Sequence, residues 1–343
     1  MNASLAKYNA SSNLELYRTY MRMVEVADMI WIYVPPLILI LGTFGNGMSI
    51  AILSKMNRRG ESTVTTYLIA LAVSDLLLLY FGLLRLWLYF EFGFDFMSVS
   101  SFVCKLCKWV VYMSGAMSAW FLVAVTLQRT VSVVWPHRMN AVCTPRTSRR
   151  LVAAIAMFLM AVHLHVLYGV EVVPLEEIGN NSSYWCHIEN KNYLNFFSKV
   201  WSWVDLMIFS LTPFAILLVS NAILLKTVVM SARRALQTLT VRDTKQISER
   251  EKKASSMTVT LITISFTFFL LTGPFCIYLL IKPYILLNDI SDLREKGIRE
   301  VVLVSINMLW YSNSAINFYL YCLTGSRFRL EFKNIFTCRN HTK

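Results

Sequence analysis

Residues 64–89, VTTYLIALAVSDLLLLYFGLLRLWLY, carry only two charges, Asp75 and Arg85, in a stretch otherwise dominated by Leu, Val and aromatic side chains. A helix crosses the hydrocarbon core of a bilayer with about 20 predominantly apolar residues, so this stretch is long enough to span. Lipid offers no hydrogen bonds, and the segment must close its own backbone bonds as a helix. Working outward, similar runs lie near 29–54, 102–134, 150–172, 199–230, 255–281 and 298–322. The expected fold is all-α: a bundle of seven transmembrane helices. Of the 343 residues 56% are hydrophobic and 15% charged, whereas a soluble domain usually carries about a quarter charged residues.

The charges between the runs give the expected threading. Lys55, Arg58 and Arg59 follow the first span, Arg138, Arg146, Arg149 and Arg150 the third, and Arg233 through Lys253 the fifth. The tail adds Arg327, Arg329, Lys333, Arg339 and Lys343. These linkers share one side, which the positive-inside rule makes cytoplasmic. The alternate linkers hold acids, and the sequons at Asn2, Asn9, Asn180 and Asn181 fall on that other side. The chain thus divides into an extracellular segment 1–28, a membrane domain 29–322 and a cytoplasmic tail 323–343. With no cleavable leader apparent, the first span serves as its own signal anchor. The net charge of +13 sits in short loops rather than on one continuous face, which argues against nucleic acid.

Ionisable groups at membrane depth are costly unless paired or hydrated, so each is a functional candidate. Asp75 lies mid-span, Arg129 at one end of the third run, Arg85 and Asp205 nearer the acidic side. Arg85 and Asp205 read equally well as snorkelling, interfacial charges. His163 and His165, two apart in the fourth span, would point in different directions on an α-helix. No partner is evident in the sequence, and they read as packing residues.

Taken in order, further motifs resemble the rhodopsin-like (class A) G-protein-coupled receptors over roughly residues 29–337. They are Gly45-Asn46, Leu71-Ala72-Val73-Ser74-Asp75, Cys104 with Arg129 25 residues on, Pro136, Pro213, Pro274 and Asn317 to Tyr321. Departures are equally specific. Gln128 and Thr130 flank the arginine, Thr272 stands in place of the sixth-span tryptophan, Phe318 replaces the seventh-span proline, and Asn221 a fifth-span tyrosine. The departures resemble those of invertebrate neuropeptide receptors of the FMRFamide and myosuppressin kind.

That resemblance implies a plasma-membrane receptor, opened by an extracellular peptide and read out by a heterotrimeric G protein, with arrestin as a further partner. It implies a disulfide between Cys104 and Cys186, while Cys107 reads as a buried thiol. Asp75, Ser118, Asn313 and Asn317 match positions that hold a sodium ion; a carboxylate with neutral oxygens suits a small hard cation. A dry interhelical hydrogen-bond network fits the same residues. No obligatory cofactor is implied.

For the switch, the resemblance singles out Arg129, Gln128, Asn317, Tyr321, Phe268 and Pro274. Gln128 can only hydrogen-bond where the family has an acid, which predicts a weaker inactive-state restraint and raised basal signalling. Pro274 interrupts the helical ladder and is either a hinge or a static kink. The ligand pocket implied is Arg85, Val111, Tyr112, Gly115, Asp205, Phe275, Leu279, Asn307 and Tyr311. Val111 in place of an aspartate disfavours a monoamine, and Arg85 is placed to receive a carboxylate or amide carbonyl from a peptide end. The tail segment Gly325–Phe336 reads as an amphipathic helix on the lipid surface, with Cys338 beyond it either palmitoylated or a free thiol. The chain shows no internal repeats of a transporter, no selectivity loop of a channel and no catalytic set of an enzyme. A chemosensory or lipid receptor of the same fold is the rival that the sequence leaves open.

Overall fold

The computed structural model describes residues 2–59, 63–135, 143–175, 183–237, 245–287 and 292–336. Its helices are α1 (Asn2–Arg58), α2 (Thr65–Phe92), α3 (Ser101–Val134), α4 (Pro145–Gly169), α5 (residues 191–237), α6 (Lys245–Leu287), α7 (Leu293–Thr324) and α8 (Ser326–Phe336). Between α4 and α5 lies an antiparallel hairpin of β1 (Glu171–Leu175) and β2 (Ser183–His187).

Local sequence sets several boundaries. Ser100, Thr144, Asn190 and Asp292 each accept a backbone N–H from the first turn that follows, capping α3, α4, α5 and α7. Pro145 takes the first position of α4, where its missing N–H costs nothing. Gly93, at φ 65°, ends α2 in the left-handed conformation that glycine adopts without strain.

α3 is the central post: 78% of its most apolar window is buried, against 17% for α4. Large apolar side chains point outward around the bundle, among them Ile40, Leu218 and Phe266 at 66%, 59% and 61% exposure. A surface of this kind suits lipid rather than water. Among the described residues six helices, α1 to α6, are long and apolar enough to cross a membrane. α7 has the length, but Ser305, Asn307, Ser312, Asn313, Ser314 and Asn317 dilute it. Apolar content therefore does not by itself establish the seventh span; Asn313, Ser314 and Asn317 are buried inside the bundle instead.

Three helices differ in extent from the apolar runs. α1 contains the run near 29–54 but starts at Asn2, and continues through Pro35 and Pro36. Residues 2–28 contain neither Gly nor Pro, and a helix started there meets no breaker. Its extension also packs: Ala27 is buried, and Met23 fills the space beside Gly297 at the start of α7. The fourth helix stops at Gly169, because Val172 and Val173 pair with Cys186 and Trp185 in the hairpin. The fifth begins earlier, at Lys191, and accommodates two π-helical segments, Phe197–Trp201 and Met207–Leu211.

Cys104 and Cys186 are bonded, with Cα atoms 5.6 Å apart, tying the hairpin to the first turn of α3. Cys107 is a buried free thiol. The amphipathic segment forms α8, whose Glu331 meets Arg59 at 2.9 Å and Lys55 at 3.8 Å from the end of α1. Pro136, Asn180, Asn181 and Cys338 lie outside the described residues, and Asn2 and Asn9 fall on the first turns of α1, where only the backbone is described.

Candidate functional site

At the hairpin end of the bundle a cavity of about 600 Å³ opens between α2, α3, α5, α6 and α7. Arg85, Val111, Tyr112, Gly115, Asp205, Phe275, Leu279 and Asn307 all line it. Tyr311 does not. It is 3% exposed and its hydroxyl reaches the open space at Gly82 of α2, one step round the helix from the cavity. The neighbouring Trp310 lines the cavity in its place.

From the sequence, Arg85 is expected to receive a ligand group. The structure gives it a partner in the chain: Nε donates to Asp95 Oδ1 at 2.8 Å and Nη2 to Oδ2 at 2.6 Å. Asp95 caps the short 3₁₀ turn Phe96–Val99 by accepting the N–H of Met97 at 2.9 Å. Burial pushes the Asp95 carboxyl up, but the hydrogen bonds and charge of Arg85 outweigh it, and the group lies below the usual carboxylate range. The turn at Gly93 was the available signal, since it folds Asp95 back over the end of α2. Lys108 and Glu300 also line the cavity and were not anticipated.

Asp205 stands on the α5 wall. Opposite it is His163, 0% exposed, with Nε2 3.7 Å from Asp205 Oδ1. The expectation that His163 and His165 make helix-to-helix packing contacts holds, both against Trp201 of α5, and the Asp205 carboxylate near His163 is what the sequence does not disclose. His163–His165 is a 3₁₀ turn, which brings positions i and i+2 to about 120° apart, from about 160° on an α-helix. Both rings therefore reach Trp201 of α5, at centroid distances of 5.4 and 3.9 Å. His165 Nδ1 meets the Tyr193 hydroxyl at 2.8 Å.

Below the cavity, Trp310 stacks on Phe275 with centroids 4.5 Å apart and planes at 7°, and Phe209 meets both edge-on. Gly115 opposes this layer: a Cβ there would sit 3.5 Å from both Phe209 and Trp310. Thr272, where a tryptophan was missing from α6, turns its hydroxyl to the Phe268 carbonyl. That bond supports the turn next to Pro274, where the ladder lacks a donor. α6 continues unbroken through the proline. Phe268 is buried and packs edge-on against Phe214 at 5.3 Å.

A helical turn deeper lies Asp75, 0% exposed. Ser118 Oγ donates to Oδ1 and Asn317 Nδ2 to Oδ2, each at 2.8 Å. Asn46 Nδ2 bridges to the carbonyls of Gly42 and Ser314, at 3.0 and 2.8 Å, joining α1 to α7. Asn313 is buried beside these groups on α7.

At the opposite end of α3, Gln128 donates its amide to the Thr63 hydroxyl, drawing it toward the start of α2. Thr130 bonds back to the Thr126 carbonyl at 3.0 Å. Arg129 is partly buried and its carbonyl accepts the Ser132 hydroxyl. Phe318, in the place of a proline, is 3% exposed and makes edge contacts with Phe44, Phe328 and Phe332, while Tyr321 lies against Phe328. These rings join α7 to α1 and α8.

The comparisons with known proteins agree with this architecture. The chain is 24% identical over 330 residues to the sex peptide receptor of Drosophila melanogaster, covering 92% of this chain and 74% of that one. It is 25% identical to the FMRFamide receptor of Drosophila melanogaster, covering 87% of this chain and 52% of that one. It is also 25% identical to cysteinyl leukotriene receptor 1 of Sus scrofa, covering 89% of this chain and 83% of that one. Residues 45–321 match the family model of the 7 transmembrane receptor (rhodopsin family). With its central α3, its buried Asp75 network and its cavity beneath a disulfide-tied hairpin, the chain belongs to the rhodopsin family of G-protein-coupled receptors, a family of multi-pass membrane receptors.

Proposed function

We propose that this receptor sits in the plasma membrane with its N-terminus outside, and is activated by an extracellular peptide that presents a basic side chain to the cavity. The carrying observation is the charge on the cavity wall. Asp95, Asp205 and Glu300 face Arg85 and Lys108, three acids against two bases. Arg85 and Asp95 hold each other, so the wall is acidic on balance and favours a cation. The aromatic rim of Trp31, Tyr89 and Trp185 supplies surface that stacks on a guanidinium. Relatives whose names carry peptides, the sex peptide and FMRFamide receptors, support the same class.

The end bearing Arg129 and α8 faces the cytoplasm in this reading, and engages a heterotrimeric G protein and then arrestin. α8 lies on the inner leaflet, with Cys338 as its acylation site, and Asn2, Asn9, Asn180 and Asn181 carry glycans. Asp75, Ser118, Asn313 and Asn317 would hold a sodium ion: the buried carboxylate supplies charge and its neighbours supply neutral oxygens. The ion's contribution would be to favour the closed bundle.

The test is a cell line expressing the chain with a broad G-protein reporter, challenged with amidated peptides with and without arginine. Activation by arginine-containing peptides, reduced in Asp205→Ala, is the expected outcome. The leukotriene receptor relative keeps a lipid ligand as the second reading, and activation by lipids alone would displace the peptide proposal.

A further inference from the structure

His163 Nδ1 lies 2.8 Å from the carbonyl of Leu159. A carbonyl can only accept, so Nδ1 carries the hydrogen, and in the neutral ring Nε2 is a bare acceptor. That atom faces the Asp205 carboxylate at 3.7 Å, a distance too long for a hydrogen bond. Among the described residues Nε2 has no hydrogen-bond partner. Two acceptors thus face each other in a site from which His163 cannot turn away, because its ring is packed between Tyr112 and Trp201.

Either of two things relieves this arrangement. A proton on Nε2 makes His163 a cation and converts the contact to an ion pair. Alternatively, a donor arriving through the cavity can bind the carboxylate, whose side chain is 19% exposed while that of His163 is 0%. We propose that His163 and Asp205 form a proton-operated anchor for the ligand's cationic group, in which a proton on His163 and the cation compete for the one carboxylate. The inference rests on the cationic-peptide reading of the cavity and adds its regulation.

Among the described residues, these groups face His163. Asp205 and Trp201 come from α5, Tyr112 from α3, and His165 lies on its own helix with Tyr193 beyond it. His165 is a base within electrostatic range of both His163 and Asp205, and its Nδ1 is already engaged by the Tyr193 hydroxyl. An imidazole changes charge between about pH 5 and about pH 8, a range in which the guanidinium of a peptide and an ordinary carboxylate do not. The sign follows. Acidification fills the site with a proton, adds a positive charge behind the cavity wall at Asp205 and weakens binding of the cation. Binding of the cation in turn expels a proton to solvent, and the two effects are equal by linkage.

The experiment has two arms, run on the full chain. In the first, detergent-purified receptor without ligand is melted at about pH 7.4 and about pH 5.5. The wild type is expected to gain stability on acidification relative to His163→Asn, which keeps a donor for the Leu159 carbonyl but cannot take the proton. His165→Asn is expected to behave as wild type. In the second, an arginine-containing amidated tetrapeptide is titrated in cells at both pH values, with its citrulline analogue as the uncharged control. Potency of the arginine peptide is expected to fall about tenfold on acidification in the wild type. It should stay flat in His163→Asn. In His163→Gln, whose amide donates permanently to Asp205, it should be flat and low. The citrulline peptide should show no fall.

If melting and potency respond to pH equally in the wild type and His163→Asn, the inference is wrong, and the same holds if His165→Asn abolishes the response. If no basic peptide acts while the melting arm still separates the variants, the ligand class is wrong and the proton site stands. Should His163→Asn fail to reach the cell surface, Asp205→Asn replaces it in the melting arm, where it is likewise expected to remove the gain.

Discussion

The layer around Asp75 and the layer around Trp310 are neighbours in the bundle but have different relations to their family. Around Asp75, Ser118 from α3 and Asn317 from α7 each donate to its carboxylate. Around Trp310 the expected tryptophan is absent from α6, where Thr272 stands, and indole bulk enters from α7 instead. A buried hydrogen bond depends on direction as well as distance, so its partners cannot move to another helix without stranding a polar group. Apolar volume is less particular, since a ring of the right size can arrive from any helix that faces the gap. The expectation is therefore that the polar layer is fixed residue by residue and the aromatic layer by total volume.

The largest test of that contrast is at Trp310. Trp310→Ala removes the ring stacked on Phe275 and leaves a void beside Phe209 and Gly115, at an expected cost of about 3 kcal/mol. Thermal melting of purified receptor would measure it. Adding Thr272→Trp to Trp310→Ala should recover at least half of the loss if volume alone matters. A double variant no more stable than Trp310→Ala would show that the layer depends on which helix supplies the ring.

At Asp75 the opposite behaviour is expected. Asp75→Leu conserves bulk but leaves the Ser118 hydroxyl and the Asn317 amide without their acceptor, for a net loss of about 2 kcal/mol once the gain from removing a buried charge is subtracted. Asp75→Asn restores an acceptor and should lose less. Sodium titrations of melting temperature supply the second readout. The wild type should stabilise with added sodium over a potassium background and Asp75→Asn should not; an equal response in both would remove the ion from the site.

How much of this was legible in the sequence depended on the same distinction. Asp75, Ser118, Asn317 and the Cys104–Cys186 pair could be matched one residue at a time, because each must be that residue at that place. Of the nine residues expected to line the cavity, eight do. The expectation failed at Tyr311 because a one-residue shift on a helix turns a side chain by about 100°, and nothing in the sequence says which of Trp310 and Tyr311 faces inward. Asp95 was missed as the partner of Arg85, though the glycine turn at Gly93 hinted at it. His163 was missed because its meeting with Asp205 depends on a local 3₁₀ turn that residue spacing does not disclose. The helical extension of α1 was hidden by polar composition, which reads as a loop until a packing partner such as Gly297 is in view.

Arg85 and Asp95 give a third test, intermediate in size, since the pair is partly exposed and its polar contacts are set by direction. Removing either partner should cost about 1.5 kcal/mol, less than a deeply buried pair and more than a surface one. The double variant should lose little more than either single one, the mark of a coupled pair. The carboxyl of Asp95 is held below its ordinary range, so the stability it contributes is present above that range and is lost as pH falls through the folded value. Melting at acidic pH should therefore narrow the gap between the wild type and Asp95→Asn. A gap that widens with acid would mean the bond is not the source of the stability.

The smallest expected effect lies at the far end of α3, and it asks whether the contrast extends to the switch. Gln128 stands where the family places an acid beside the arginine, and it bonds to Thr63 rather than forming a charge pair with Arg129. A neutral amide bonded to the turn at Thr63 supplies no charge to the arginine, which predicts a weaker restraint on the signalling conformation. Gln128→Asp would supply the charge and withdraw the amide from Thr63. A water-accessible pair of this kind is worth about 1 kcal/mol, which corresponds to roughly a fivefold fall in ligand-free signalling. The companion variant Thr63→Ala removes the other end of the bond, and is expected to leave basal signalling within about twofold of wild type. Unchanged basal signalling in Gln128→Asp, at matched surface expression, would show that the glutamine already restrains the arginine as well as an acid does. The inner end of α3 would then behave like the aromatic layer, tolerant of which residue performs the task, and not like the polar layer at Asp75.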